Sequence, residues 1–108
     1  MYKLAFYVPV DNVESVKAAV FETGAGRIGN YEAVCFQTRG TGQFRPLSGA
    51  EPHIGAVDEL TQVEEYKVEM ICDDAVVHAA VAALKLAHPY EEVAYDVWLL
   101  ADLHALPK

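Results

Sequence analysis

The chain has 108 residues, of which 53% are hydrophobic, and its formal net charge at pH 7 is −8. A chain of this length forms one domain, and its acidic balance argues against nucleic acid and anionic membranes as partners. The hydrophobic share exceeds the usual range of about 45–50%, which indicates that more than one face of the domain is buried. We therefore expect other subunits to cover part of its surface.

The first half of the chain predicts a strand, a helix and a second strand. Residues 3–9 are rich in aromatic and branched side chains, which favour a strand. Asp11 with Glu14 three residues later has the pattern of a capping box, so a helix is expected to begin there. Gly24 is expected to end this helix as a C′ residue. Residues 32–39 predict the second strand.

The second half repeats the pattern in the order strand, helix, strand. Residues 60–72 alternate between apolar and charged side chains and predict a long third strand. Asp73 or Asp74 is expected to cap a second helix, which Pro89 ends because a helix rarely continues into the residue before proline. Residues 91–101 predict the fourth strand.

The predicted order of elements, β-α-β-β-α-β, is that of the ferredoxin-like α+β fold. In this fold both helices cover one face of a four-stranded antiparallel sheet, and here residues 1–108 would form one such domain. Leu4, Phe6 and Val8 are expected to face the helices. Large apolar residues such as Trp98 also fall on the opposite, open face. A monomer should keep that face mostly polar, so we expect other subunits to cover it.

All seven glycines and all three arginines lie between residues 24 and 55. Glycine allows positive φ and close backbone approach, and arginine suits carboxylates and phosphates. The segment carries a charge of +1, whereas the rest of the chain carries −9. A small anionic ligand is therefore expected to find its most favourable field here.

The first part of this segment, GAGRIGNY, follows a helix and enters a strand. A dinucleotide-binding fingerprint requires the reverse order, from strand to helix. Two interpretations remain open: a turn whose amides and arginine hold a small anion, or a tight connection in which the glycines supply positive φ. The candidate ligand-binding residues of this turn are Gly26, Arg27, Asn30 and Tyr31.

The second part, residues 40–55, predicts a protruding loop between the second and third strands. It can contact a ligand or a partner protein, or it can be an arm that reaches a neighbouring subunit and is stiffened by Pro46 and Pro52. The candidate ligand-binding residues at this loop are Arg39, Gly40, Gly42, Phe44 and His53.

The motif AHPYEE, where the second helix turns into the fourth strand, has the most suggestive chemistry. Its histidine can titrate near neutral pH beside a carboxylate, and such a pair can contact a ligand. A divalent metal is an alternative, held by His88, Glu91 and possibly His53. A purely structural role for the motif is the third interpretation. The candidate ligand-binding residues here are His88, Tyr90, Glu91 and Glu92.

Three motifs together, GAGRIGNYEAVCF, GTGQFRPLSGAEPHIG and AHPYEEVAYDV, resemble one known family. They resemble the YqfO-type domain that is inserted in bacterial proteins of the Nif-three-like family, often described as GTP cyclohydrolase type-two homologues. The chain is expected to be this insert domain standing alone. The resemblance implies a ferredoxin-like fold related to PII and CutA proteins, which commonly form trimers. In the PII relatives, the loop equivalent to residues 40–55 meets nucleotides and target proteins.

The resemblance carries no catalytic residue to this chain. The histidine and acidic motifs that bind a metal pair in the family belong to flanking domains, which have no counterpart in these residues. We therefore expect a non-enzymatic ligand- or partner-binding regulatory module, a homotrimer or a dimer of trimers, with no assigned cofactor or metal ligand. The alternatives are a CutA-like protein that binds divalent metal and an accessory module of a metal-dependent hydrolase.

Two isolated cysteines and the N-terminal sequence lead to an expected cytoplasmic location. Cys35 and Cys72 lie within apolar runs and form no C-x-x-C pair, which is typical of core positions in a reducing compartment. The first ten residues lack the cleavage site of a signal peptide. No segment approaches the ~20 consecutive apolar residues of a membrane-spanning helix.

Overall fold

The computed structural model describes residues 1–108, and its strands and helices follow the predicted order. The elements are β1 (Tyr2–Pro9), a short 3-10 helix (Val10–Asn12), α1 (Val13–Glu22), β2 (Phe36–Phe44), β3 (Thr61–Cys72), α2 (Val77–Ala87), β4 (Tyr95–Leu99) and a second 3-10 helix (Leu103–Ala105). The strands form one sheet in the order β2-β3-β1-β4, and every neighbouring pair is antiparallel. The predicted ferredoxin-like α+β fold is confirmed.

The core lies between the sheet and the two helices. Leu4, Phe6 and Val8 of β1 are fully buried, as their alternation predicts. Val16 of α1 and Leu84 of α2, both also fully buried, belong to the same hydrophobic cluster. Burial of each large apolar side chain stabilises the fold by about 1.5–3 kcal/mol.

The open face of the sheet is less apolar than the sequence led us to expect. Its centre carries the ion pairs Lys3–Glu69 at 3.6 Å and Lys67–Glu69 at 3.7 Å. Large exposed aromatic groups lie only towards its edges, namely Phe36 on β2 and Trp98 on β4. The charged members of the alternating β3 pattern therefore make the centre of this face polar.

Both predicted helix caps are wrong. Pro9 leads into a 3-10 helix, so α1 begins only at Val13 and no side chain caps it. At α2 no side chain caps the first turn, because Val76 occupies the N-cap position and the Asp73 carbonyl accepts the amides of Val76 and Val77. The carboxylate of Asp74 instead binds the N-terminal amine.

The end of α2 agrees with the prediction. The helix stops at Ala87, and His88 is extended, with φ −69° and ψ 139°, as expected of a residue before proline.

Strands β2 and β4 differ in extent from the predictions. The β2 strand lies at Phe36–Phe44 instead of 32–39, because residues 40–44 continue the ladder with β3. Residues 32–35 are irregular, and Ala33 among them has a positive φ of 57°. The β4 strand covers Tyr95–Leu99 instead of 91–101, because bends occupy residues 88–92.

The hairpin of β2 and β3 projects beyond the rest of the sheet. The β1 ladder with β3 ends at the pair Pro9 and Glu65, whereas β2 and β3 stay paired as far as Phe44 and Thr61. The domain measures 51 × 29 × 24 Å, and its radius of gyration is 15.6 Å. A compact domain of this size is expected to have a radius of about 13 Å. The chain is therefore elongated. Neither helix has the length and apolar character needed to cross a membrane.

Candidate functional site

The loop between β2 and β3, residues 45–60, is a closed and ordered structure. The amide of Asp58 donates to the carbonyl of Pro46 at 2.7 Å and ties the two sides of the loop together. The loop folds back towards the end of α2, where the Glu51 amide donates to Glu91 Oε1 at 2.9 Å. The loop and the 88–92 turn, both selected from the sequence, therefore meet within one chain.

His88 anchors the 88–92 turn to the sheet. Its side chain is buried, its Nε2 lies 2.7 Å from the Tyr7 carbonyl oxygen, and its Nδ1 accepts the Tyr90 amide at 3.1 Å. This pair of partners requires the neutral ring with its proton on Nε2. Burial lowers the pKa of His88, the Tyr7 carbonyl partly opposes that shift, and nearby His53 lowers it further. Both ring nitrogens are thus used within the chain.

Tyr90 joins the turn to the loop through aromatic contacts. Its ring centroid lies 4.8 Å from His88, 6.0 Å from Phe44 and 6.3 Å from His53. The rings are tilted against one another, which is a favourable aromatic arrangement. The Tyr90 hydroxyl is buried and has no partner that satisfies hydrogen-bond geometry.

A cavity of about 640 Å³ lies between the loop, the turn and the open face of the sheet. Its volume is within the range of small-molecule sites, about 300–1,000 Å³. Apolar side chains of the loop and three carboxylates surround it, with one guanidinium. The charged lining residues are Arg45, Glu65, Glu91 and Glu92, and the aromatic ones are Tyr7, Phe44 and Tyr90.

Glu65, which the sequence pattern does not distinguish from the other acids of β3, is one of the three carboxylates that line this cavity. It lies on β3 directly opposite Gly40, and its carboxylate rests against Gly42. A Cβ atom at Gly42 would overlap the Glu65 carboxylate, so the glycine leaves the space that the carboxylate occupies. Burial raises the pKa of Glu65, and the nearby Tyr90 hydroxyl partly opposes this shift. Burial, assisted by Glu65, raises the pKa of Tyr90 to about 12.

We expect Glu65→Gln to raise the melting temperature at pH 7. The folded chain raises the pKa of Glu65 above its unfolded value of 4.5, so ionisation opposes folding as the pH rises through this range. The amide removes that cost at pH 7 and should give much less gain at pH 4, where the carboxyl is mostly protonated in both states. Thermal unfolding at the two pH values measures the difference, and an equal gain at both would contradict the assignment.

The structure brings together only part of the predicted ligand-binding set. Six of the predicted residues line the cavity, whereas His88 does not line it and packs its ring against that of Tyr90. The lining members are Gly42, Phe44, His53, Tyr90, Glu91 and Glu92. Arg39 and Gly40 border a neighbouring groove of about 330 Å³. The Nε of Arg39 donates a hydrogen bond to Glu64 Oε2 at 2.8 Å.

The turn at residues 24–31 lies at the other end of β3. The Gly26 amide donates to the Ile71 carbonyl at 2.8 Å, six residues along β3 from Glu65. Arg27 pairs with Glu32 at 3.8 Å. Asn30 and Tyr31 belong to a small turn in which Ile28 and Tyr31 exchange backbone hydrogen bonds. These four predicted residues are therefore not part of the cavity.

The structure does not assemble the metal ligands that the AHPYEE motif suggested. No group of three His, Cys, Asp or Glu side chains in the chain can hold a metal ion. Both ring nitrogens of His88 form hydrogen bonds with backbone groups, and the Glu91 carboxylate accepts a hydrogen bond from the Glu51 amide. The set of His88, Glu91 and His53 is therefore not a metal site within one chain.

The sequence comparisons relate this cavity-bearing domain to much longer proteins. No protein-family model matches the chain. It is 47% identical over 96 residues to a GTP cyclohydrolase 1 type 2 homolog of Bacillus subtilis, covering 89% of this chain and 26% of that protein. A solved Bacillus cereus protein related to NIF3 superposes with a TM-score of 0.80 at 40% identity, over 94% of this chain and 26% of the other. The chain is homologous to one segment of the Nif3-like proteins.

The chain spans about a quarter of the length of the Nif3-like relatives that it matches. The fold of the segment also occurs as a nearly full-length match in other proteins. A PII-like CutA protein from Nostoc superposes with a TM-score of 0.68 at 14% identity, over 98% of this chain and 86% of that one. At this low identity the likeness concerns the fold alone, and it agrees with the predicted similarity in fold to PII and CutA proteins.

Proposed function

We propose that the chain is a non-enzymatic module that binds a small organic ligand in the cavity between the β2–β3 loop and the 88–92 turn. The observation that carries this proposal is a cavity of about 640 Å³ built from two motifs far apart in the sequence. His88, the histidine of the 88–92 turn, does not line the cavity and is bound to the backbone through both nitrogens. This arrangement supports binding rather than acid-base catalysis.

The ligand proposal is tested by protein-observed NMR with a set of small ring-containing fragments. We expect chemical-shift changes to cluster on Phe44, Tyr90 and their neighbours. The Gly42→Ala variant should lose this binding, because its Cβ takes the place of the Glu65 carboxylate. Gly40→Ala is the matched control, since a Cβ at Gly40 meets nothing within 4 Å. Fragments that bind elsewhere, or equally to both variants, would contradict the proposal.

We further propose that the module works as a homotrimer or as a dimer of trimers. Only 18 of its 108 residues are buried, although more than half of the residues are hydrophobic. Leu99 and Leu103, at the end of β4 and beyond it, are each more than 70% exposed. The edge strands β2 and β4 each leave one side unpaired, and unpaired edges readily join other chains. The fold shared with CutA and PII-like proteins supports the same assembly.

Native mass spectrometry of untagged protein tests the assembly. We expect a main species at three or six times the chain mass. The sample is kept reduced because the chain has two free cysteines. These free cysteines also support the reducing, cytoplasmic location that we propose. A monomer at micromolar concentration would contradict the trimer.

A further inference from the structure

We propose that the cavity selects an organic cation, an amine or amidine carried on a ring or a short apolar group. This inference rests on the proposed binding function and adds the chemical class of the ligand. The arginine-rich segment predicts an anion, but the folded chain arranges its charges differently around the cavity.

The charges on the cavity wall favour a cation. Glu65, Glu91 and Glu92 line it, and Arg45 is the one guanidinium among the lining residues. Arg27 and Arg39, which made the segment basic, pair with Glu32 and Glu64 outside the cavity. An anionic ligand would therefore meet three carboxylates for each available cation, whereas an ammonium group would be attracted.

Glu65 has no cationic partner in the chain, although its neighbours do. On one side Glu64 binds Arg39 at 2.8 Å, and further along β3 Glu69 binds both Lys3 and Lys67. Glu65 forms no ion pair, yet Gly42 leaves open the space in which its carboxylate lies. A partly buried carboxylate without a cationic partner destabilises the chain unless a ligand supplies the positive charge. This is the position that a ligand cation is expected to occupy.

The aromatic side chains of the cavity also suit a cation that is carried on a ring or a short apolar group. Tyr7, Phe44 and Tyr90 line the same space as Glu65. Aromatic faces attract ammonium and guanidinium groups and also bury the apolar part of the ligand. The buried Tyr90 hydroxyl lies next to the Glu65 carboxylate and partly offsets the effect of burial on its pKa.

Three phenyl compounds of similar size and different charge test this assignment: benzylammonium, benzyl alcohol and benzoate, added at constant ionic strength and followed by NMR. Benzylammonium should shift the resonances of Phe44 and Tyr90 and bind at least tenfold more tightly than benzoate. Glu65→Gln should weaken benzylammonium about tenfold, a loss of roughly 1.4 kcal/mol. Glu64→Gln is the matched control, because it removes the same charge one residue away and should leave the affinity within twofold.

The possible outcomes separate the two proposals. If benzyl alcohol or benzoate moves the same resonances as strongly as benzylammonium, the cavity binds ligands but the cationic class is wrong. If Glu65→Gln and Glu64→Gln weaken benzylammonium equally, its binding reflects overall charge and the assigned site is wrong. If no probe moves any cavity resonance at millimolar concentration, the cation assignment fails and the fragment screen decides whether the cavity binds anything.

Discussion

Replacing Leu84 by alanine is expected to lower the free energy of unfolding by about 2–5 kcal/mol, because the side chain is fully buried between α2 and the sheet. The lost contacts belong to the cluster that joins both helices to β1 and β3. Urea unfolding of the wild type and the variant at pH 7.5 measures this loss.

Leu86 provides a control in the same helix. It is 90% exposed, so Leu86→Ala removes little burial and should change the unfolding free energy by less than about 0.5 kcal/mol. The two variants remove the same atoms at positions two residues apart. Equal losses would contradict the orientation of α2 in the fold, unless the Leu86 variant also dissociates the proposed trimer, which native mass spectrometry would detect.

The second large effect is expected at His88. His88→Ala leaves the Tyr7 carbonyl and the Tyr90 amide without their partner, and two such partly buried groups cost about 2–4 kcal/mol. The turn that carries Tyr90 should also loosen, so the cavity should lose its fragment binding. Unfolding experiments at pH 7.5 measure the first effect, and NMR titration measures the second.

His78→Ala is the control for this substitution. His78 lies on the exposed side of α2, and its loss should change stability by less than about 0.5 kcal/mol. If His88→Ala had a small effect, comparable to that of His78→Ala, His88 would not be the residue that holds the 88–92 turn against the sheet.

The anchor also predicts how stability depends on pH. Burial lowers the pKa of His88 below its unfolded value of 6.5, so the unfolded chain binds this proton more readily than the folded chain. The stabilisation of the fold by neutral His88 is therefore complete above about pH 6.5. It decreases as the pH falls towards the lowered pKa of His88 in the folded chain. His88→Ala should lack this decrease. An identical fall in stability between pH 7.5 and 5.5 in both proteins would assign the pH dependence to other groups.

The sequence alone predicted the fold because its local signals agree with one another. Alternation in β1 and β3, helical spacing in α2 and the break at Pro89 each depend on neighbouring residues. The capping residues were predicted wrongly because Asp11, Asp73 and Asp74 resemble N-caps locally. The chain entering α1 from Pro9, and the N-terminus lying beside Asp74, are tertiary features.

The candidate site was predictable only in part. Phe44, Tyr90 and Glu91 were selected because they lie in glycine-rich or histidine-containing motifs outside regular alternation. Glu65 was missed because it looks like one more charged residue in an alternating strand. Its importance depends on the ladder of β2 with β3, which places it against Gly42 twenty-three positions earlier in the chain. Register between distant strands cannot be inferred from either strand alone.

The segment that carries the arginines illustrates the same limit. Its sequence charge is positive, and this led to the expectation of an anionic ligand. In the fold, Arg27 and Arg39 pair with acids outside the cavity, while Glu65 comes from β3 and Glu91 and Glu92 come from the turn after α2. The electrostatic field at a site depends on which strands, helices and loops meet there, not on the net charge of one segment of the sequence.

Equilibrium unfolding of the wild type and Glu65→Gln at pH 7, with and without benzylammonium, tests the central claim most directly. The claim is that the cavity keeps an unpaired carboxylate for a ligand at the expense of stability. Without the probe, the variant should be the more stable protein. At tenfold its dissociation constant, the probe should stabilise the wild type by about 1.4 kcal/mol and the variant far less. Equal stabilisation of the two proteins, or none in either, would contradict the claim.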